Sequence, residues 1–197
     1  MKSTSLTLRP GRKAKGFTLM ELLVVMTIIG ILAAMVFPVA NGVLKKARKS
    51  QAQNTAMQVK QSITTYFTEY SRYPVKATGS GTGPDEKIET DRTLMDVLLG
   101  SDREASSGGL NPRKISFFSG RKAKGKKGGV ELSQDGGGEL FDPWGNYYQV
   151  ILDTNRNDRV SDPSEGGTET IPQSVIVWSF GLDGDDDRGG GDDVVTW

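Results

Sequence analysis

The sequence predicts an α+β fold. One long N-terminal α-helix, its first half embedded in a membrane, packs on a small antiparallel β-sheet with long loops. Three observations predict it. Residues 22–37 run for sixteen positions without a charge. Apolar residues then recur in steps of four and three as far as Tyr70, the signature of a single helical stripe. Two short runs near the C-terminus are β-branched or aromatic and are bounded by turn residues.

Composition narrows the chemistry. The 197 residues include no cysteine and no histidine, and 25 Lys+Arg face 24 Asp+Glu. Without cysteine there is no disulfide, thiol nucleophile or thiolate metal site. Without histidine, triads that need it and His-based metal sites are excluded. Metal chemistry is left with oxygen ligands and hard cations such as calcium. The near-neutral total hides an uneven distribution. Residues 1–16 hold five basic groups and no acid, whereas 139–197 hold thirteen acids against three arginines. Such an acidic tail repels itself unless a cation or a basic neighbour lies close.

The N-terminus reads as a targeting and membrane segment. With 17–20 and 38–40 added, the uncharged run reaches the roughly 20 residues a bilayer requires. The basic leader keeps 1–16 in the cytoplasm and sends the remainder outward. A signal peptide removed whole is disfavoured, because the run exceeds a normal h-region and no small-x-small cleavage site follows it. Glu21 stands out at the start of this run. A carboxylate there is costly unless paired, and a free amine on residue 17 would lie one helical turn away.

The stretch Lys15-Gly16-Phe17-Thr18-Leu19-Met20-Glu21-Leu22-Leu23-Val24-Val25 resembles the class III signal of type IV prepilins and type II secretion pseudopilins. Ile28-Ile29-Gly30-Ile31-Leu32-Ala33-Ala34 and Pro38 sit where that family has them. The resemblance implies cleavage after Gly16 by a prepilin peptidase and N-methylation of Phe17. It also implies that Glu21 neutralises the N-terminus of an adjacent subunit in a filament. The domain reading is a leader at 1–16, a transmembrane and filament-core helix at 17–40 and an amphipathic continuation at 41–73. A variable loop-rich region with a short helix follows at 74–139, then a β-sheet with acidic loops at 140–197.

The helix is expected from about Thr18 to Tyr70, some 80 Å at about 1.5 Å per residue. Its second half buries Ala52, Ala56, Val59, Ile63, Tyr66 and Tyr70. Pro38 removes a backbone hydrogen bond and is expected to kink or loosen the middle. Lys45, Lys46, Arg48 and Lys49 follow the apolar run as a solvated face or headgroup contacts, or as partners for acids of a neighbouring subunit. Pro74 ends the helix, and 76–90 reads as loop. Asp91 caps a short helix that stops at Gly100. Residues 111–118 are expected to be extended. The basic loop 121–127 reads as solvated; it could hold phosphates but has no aromatic to stack bases, so nucleic acid is not an expected partner.

Strands are expected at 146–152 and 174–179. Asp142-Pro143-Trp144-Gly145-Asn146 is a turn signal, and it also resembles the segment that opens the sheet in the major pseudopilin of type II secretion. Ser179-Phe180-Gly181-Leu182-Asp183-Gly184 and Asp192-Asp193-Val194 resemble later parts of the same protein class. On composition, the loop 183–193 reads as a solvated acidic loop or a cation site. The resemblance implies calcium there, carrying over Asp183, Asp192 and Asp193; Asp185 is added from the local sequence. A second loop echoes an EF-hand, with Asp153, Asn155 and Asn157 at its first, third and fifth places. Asp158 stands where that loop wants glycine, and Ser164 where it wants glutamate.

The expected function is therefore structural, not enzymatic: a subunit of a type II secretion pseudopilus that drives protein export, or alternatively a type IV pilin serving adhesion, motility or DNA binding. Adjacent carboxylates such as Asp192 and Asp193 on a glycine-rich loop are poorly fixed for acid–base catalysis. The implied partners are pilin-like subunits in a homo-oligomeric filament, the prepilin peptidase/N-methyltransferase, an inner-membrane assembly platform and membrane lipid. The implied location is the bacterial inner membrane, single-pass, with the C-terminal domain in the periplasm.

Overall fold

The computed structural model describes residues 16–76, 85–104, 108–163 and 169–197, without the side chains of 35–41. Residues 1–15 of the expected leader, and Ser164, lie outside the described residues. The chain divides into two compact units, Met1–Leu44 and Lys45–Trp197. Helix α1 (Leu19–Tyr70) contributes to both.

In the first unit the helix is apolar and uncovered: Leu19 is 88% and Leu32 58% exposed. Among the described residues, no helix is long and apolar enough to cross a membrane. The expected span continues into 35–40, whose side chains lie outside the described ones. Pro38 falls within α1, and the kink expected there rests on those same residues.

In the second unit, α1 presents the expected stripe. Ala52, Ala56, Val59, Ile63 and Tyr66 are fully buried, and Tyr70 packs against their cluster. The opposite face is polar, so this half of the helix has one side to bury and one to wet. The surface it buries against is a four-stranded antiparallel sheet in the order β1 (Glu86–Glu89), β4 (Gln149–Leu152), β7 (Val175–Ser179), β8 (Val194–Val195). Register places Ile88 opposite Val150, and Val150 opposite Val177, in one row on the face that joins the helix cluster. Alternate residues Ile151, Ile176 and Trp178 point the other way, as strand geometry requires. They form a second cluster with Val160 and Ile171, packed by Phe180, Val195 and Trp197. Both faces of the central strands are thus covered, which explains why β4 and β7 are buried at every position.

The short helix forms as α2 (Arg92–Leu98), and Asp91 caps it by accepting from the Thr93 and Leu94 amides. Five short strands depart from the sequence reading. Residues 86–89, read as loop, form the edge strand β1. Its Glu-Lys-Ile-Glu carries a single apolar side chain, so only pairing with β4 reveals it. A hairpin, β2 (Gly129–Leu132) with β3 (Gly138–Phe141), occupies part of the region read as loop-rich. The two-residue strands β5 (Val160–Ser161) and β6 (Thr170–Ile171) pair with each other beyond the loop at 153–158. Residues 111–118 form no ladder; the Phe117 and Phe118 amides donate instead to the Leu98 carbonyl at the end of α2.

Asp142 organises the turn before β4. Its fully buried carboxylate accepts the amides of Trp144, Gly145 and Asn146 through one oxygen, at 2.8, 2.7 and 2.9 Å. The other oxygen accepts the Ser179 hydroxyl at 2.6 Å. Gly145 takes φ +114°, a conformation that a side chain would strain. Asp142→Ala strands these donors and should cost about 3 kcal/mol or more in urea unfolding.

Two phenols add a pH dependence. Burial pushes Tyr73 up to about 12, with Asp153 and Asp158 adding to it. Burial and the hydrogen bond that Tyr147 donates to Glu139 push Tyr147 up to about 12 as well. Both pKa values are raised above the unfolded value, so their stabilisation is complete below about pH 10 and is lost as pH rises toward 12. Tyr73→Phe combined with Tyr147→Phe should flatten the alkaline limb of the stability–pH curve.

Candidate functional site

Two places carry candidate chemistry, one in each unit. At the start of α1, Gly16 and Phe17 are exposed and precede the first helical turn. A side chain at Gly16 would meet nothing within 4 Å, so neither packing nor a positive φ explains the glycine. Thr18 and Glu21 form a reciprocal capping box. The Glu21 carboxylate accepts the Thr18 amide and hydroxyl, both at 2.9 Å, and the Thr18 hydroxyl accepts the Glu21 amide at 3.2 Å. In the uncut chain, then, the carboxylate at this position is hydrogen-bonded locally. The Thr-x-x-Glu spacing encodes this cap, so Glu21 has a local partner besides the amine expected from the sequence.

The acidic loop leaves β7 and returns as β8. Ser179, held by Asp142, starts it by accepting the Gly181 amide through its hydroxyl. Gly181 has φ +76°, and a Cβ there would lie 2.6 Å from the Asp192 carboxylate, so the glycine lets the two ends of the loop close. The Asp192 carboxylate accepts the amides of Leu182 and Asp183. The result is a convergence of three carboxylates: Asp183, Asp187 and Asp192 each bring one oxygen within 4.8 Å of the others.

The structure brings Asp183 and Asp192 together, and Asp187, absent from the ligand set that the sequence suggests, joins them. Asp185 and Asp193 stand outside this triad. Asp186 is drawn off toward Lys87 at 3.3 Å and the Trp178 indole at 3.4 Å. With six aspartates in eleven residues, spacing alone does not say which oxygens meet; the glycine turns decide it. Asp193 is buried, and its Oδ2 accepts the Gly189 amide at 2.7 Å while Oδ1 has no partner among the described residues. Burial pushes its carboxyl up, the Gly189 amide opposes this, and the charges of Asp186, Asp187 and Asp192 add to the rise. A hard, oxygen-only donor set with excess negative charge and an orphaned carboxylate oxygen fits a calcium-like cation.

The other proposed ligands behave differently. Asp153 is buried and spends its oxygens on the amides of Asn157 and Asp158, at 3.1 and 2.7 Å. Asn155 donates to Asp85 at 3.0 Å and accepts the Asn157 amide, and Asn157 accepts the Arg159 amide. Asp85 also takes the Ser161 amide at 2.7 Å. This loop is closed by its own backbone, and among the described residues it gathers no group of three acids.

Comparison with known proteins bears on the start of α1 and on the chain as a whole. The family model described as the prokaryotic N-terminal methylation motif matches residues 11–37. Type II secretion system core protein G of Aeromonas hydrophila is 28% identical over 182 residues, covering 90% of this chain and 92% of that protein. The core protein G of Dickeya chrysanthemi is 37% identical over 70 residues, 36% of this chain and 46% of that one. The type IV major pilin protein PilE1 of Neisseria gonorrhoeae is 29% identical over 113 residues, 57% of this chain and 65% of the pilin. No solved structure matches. The chain thus carries a match to the N-terminal methylation motif across Gly16 and Phe17 and is similar along nearly its whole length to a type II secretion core protein G.

Proposed function

We propose that the chain is a structural subunit of a type II secretion pseudopilus, assembling through its N-terminal helix to drive protein export. The near full-length similarity to core protein G carries this reading. Maturation would begin with cleavage after Gly16, where an exposed glycine with open space around it suits entry into a peptidase site. The new amine of Phe17, once methylated, stays cationic. It would lie a turn from Glu21 of its own chain or beside Glu21 of a neighbour, where the pair removes the cost of a lone carboxylate in an apolar surrounding. The uncovered apolar side chains of 19–34 support burial first in the inner membrane and then among other subunits. On this reading the helix is a single-pass anchor with the Lys45–Trp197 unit in the periplasm, and an assembly platform adds subunits at the membrane. A type IV pilin is the second reading, supported by the partial similarity to PilE1.

Calcium belongs to the same proposal. Asp183, Asp187 and Asp192 would hold the ion, which would supply the positive charge that the acidic loop lacks.

Mass spectrometry of the mature protein should find methylated Phe17 as the first residue, and Glu21→Ala should abolish filament growth while leaving the monomer folded. Recovery of an uncut chain as the working form would sink the assignment. For the metal, saturating calcium should raise the melting temperature of the full chain by about 5–10 °C, and Asp187→Ala should remove that rise. A melting temperature indifferent to calcium and chelator would take the metal out of the proposal.

A further inference from the structure

One cleft in the Lys45–Trp197 unit has walls without acids. Between Glu21 and Glu69, and again between Glu104 and Glu131, the sequence contains no Asp or Glu. The fold brings these two stretches together. The polar face of α1 and the segment around 118–129 enclose a cleft of about 670 Å³, a size that suits a small ligand. Ser50, Gln51, Asn54 and Thr55 form one wall at helical spacing, and Arg121 and Gly128 stand on the other. Residues 45–49 add four cations beside the helix wall, and 122–127 add four beside the loop wall. Among the described residues, none of these eight, nor Arg121, makes an ion pair.

The donors are arranged as a pair. Arg121 Nε and Gln51 Nε2 both donate to the Gly128 carbonyl. A Cβ at Gly128 would lie 2.7 Å from both Arg121 Nη2 and Gln51 Nε2, and φ there is +63°, so this glycine allows the guanidinium and the amide to sit side by side. The terminal guanidinium nitrogens have no protein acceptor among the described residues. A second polar group lies nearby. The Tyr148 hydroxyl is buried, and Thr55 and Arg121, both cleft residues, are among its neighbours. A polar lining rich in donors, a guanidinium fork and a surrounding excess of positive charge match the oxygens of a tetrahedral phosphate anion better than a neutral ligand or a cation.

We propose that this cleft is a binding site for a phosphate group, with the Arg121 guanidinium and the Gln51 amide as its principal donors and Ser50 and Asn54 at its mouth. The same chemistry is offered by free phosphate and by the headgroup of an anionic phospholipid. The site lies wholly within one unit and requires no filament.

Calorimetric titration of the detergent-solubilised full chain tests it, using inorganic phosphate and short-chain phosphatidylglycerol as separate probes. Saturable binding of phosphate assigns the site to the free ion, and binding of the phosphatidylglycerol alone assigns it to a headgroup; either supports the site. Asn54→Asp adds a carboxylate of nearly the same shape at an exposed position, so the melting temperature should hold while affinity falls about tenfold or more. Arg121→Gln should do the same, whereas Lys124→Gln, an equal loss of charge away from the cleft wall, should change little. Absence of saturable binding to both probes overturns the proposal. So does binding that ignores Asn54→Asp, or an oligonucleotide that binds with a dependence on lysine number instead of on the cleft residues.

Discussion

The globular unit turns on the Asp142 carboxylate. It is buried and without a cationic partner among the described residues, and its burial is offset by four donors, three backbone amides on one oxygen and the Ser179 hydroxyl on the other. Three successive amides fix the turn that delivers the chain into β4. The fourth donor, Ser179, lies at the end of β7, where the acidic loop departs. One side chain thus sets where the central strand begins and where the loop of aspartates is launched. The convergence of Asp183, Asp187 and Asp192 depends on that fixed point, because a glycine-rich loop has no regular structure of its own to orient it.

Thr90 plays a related part on the other flank of the sheet. Its hydroxyl donates to the Leu140 carbonyl and accepts the Tyr148 amide, both at 2.9 Å, while its backbone bonds to both residues. It ties the β2–β3 hairpin to β4 without a continuous ladder. Such a junction is invisible to local pattern, since threonine in that position reads as an ordinary strand end. The same reason accounts for β1. Its four residues carry one apolar side chain, and only the partner strand, sixty residues on, makes the conformation favourable.

Where the signal was local and periodic, sequence and structure agree. The buried stripe from Ala52 to Tyr66 follows from steps of four and three, the Asp91 cap from an aspartate placed before an apolar helix, and β4 and β7 from unbroken β-branched runs. The candidate metal cluster was half legible. Composition pointed to the loop and resemblance to Asp183 and Asp192. The selection of Asp187 over Asp185 came from backbone turns that no residue count encodes. In the loop at 153–158 the EF-hand echo had a different origin: Asp and Asn recur there because their side chains bind nearby amides and close turns.

The bare aliphatic surface from Leu19 to Leu32 has an energetic corollary. Lipid tails and leucine side chains are similarly greasy, so moving such a rod from hydrocarbon to a bundle of like rods changes its hydrophobic free energy little. Direction in that exchange has to come from something other than oil-like affinity. Close steric fit and the few hydrogen-bonding groups on the rod, with Thr18 and Glu21 foremost, are what is left to bias it. A polymer of the proposed kind, built on so nearly level a transfer, could be extended or dismantled by modest input of work, without ever exposing its core to water.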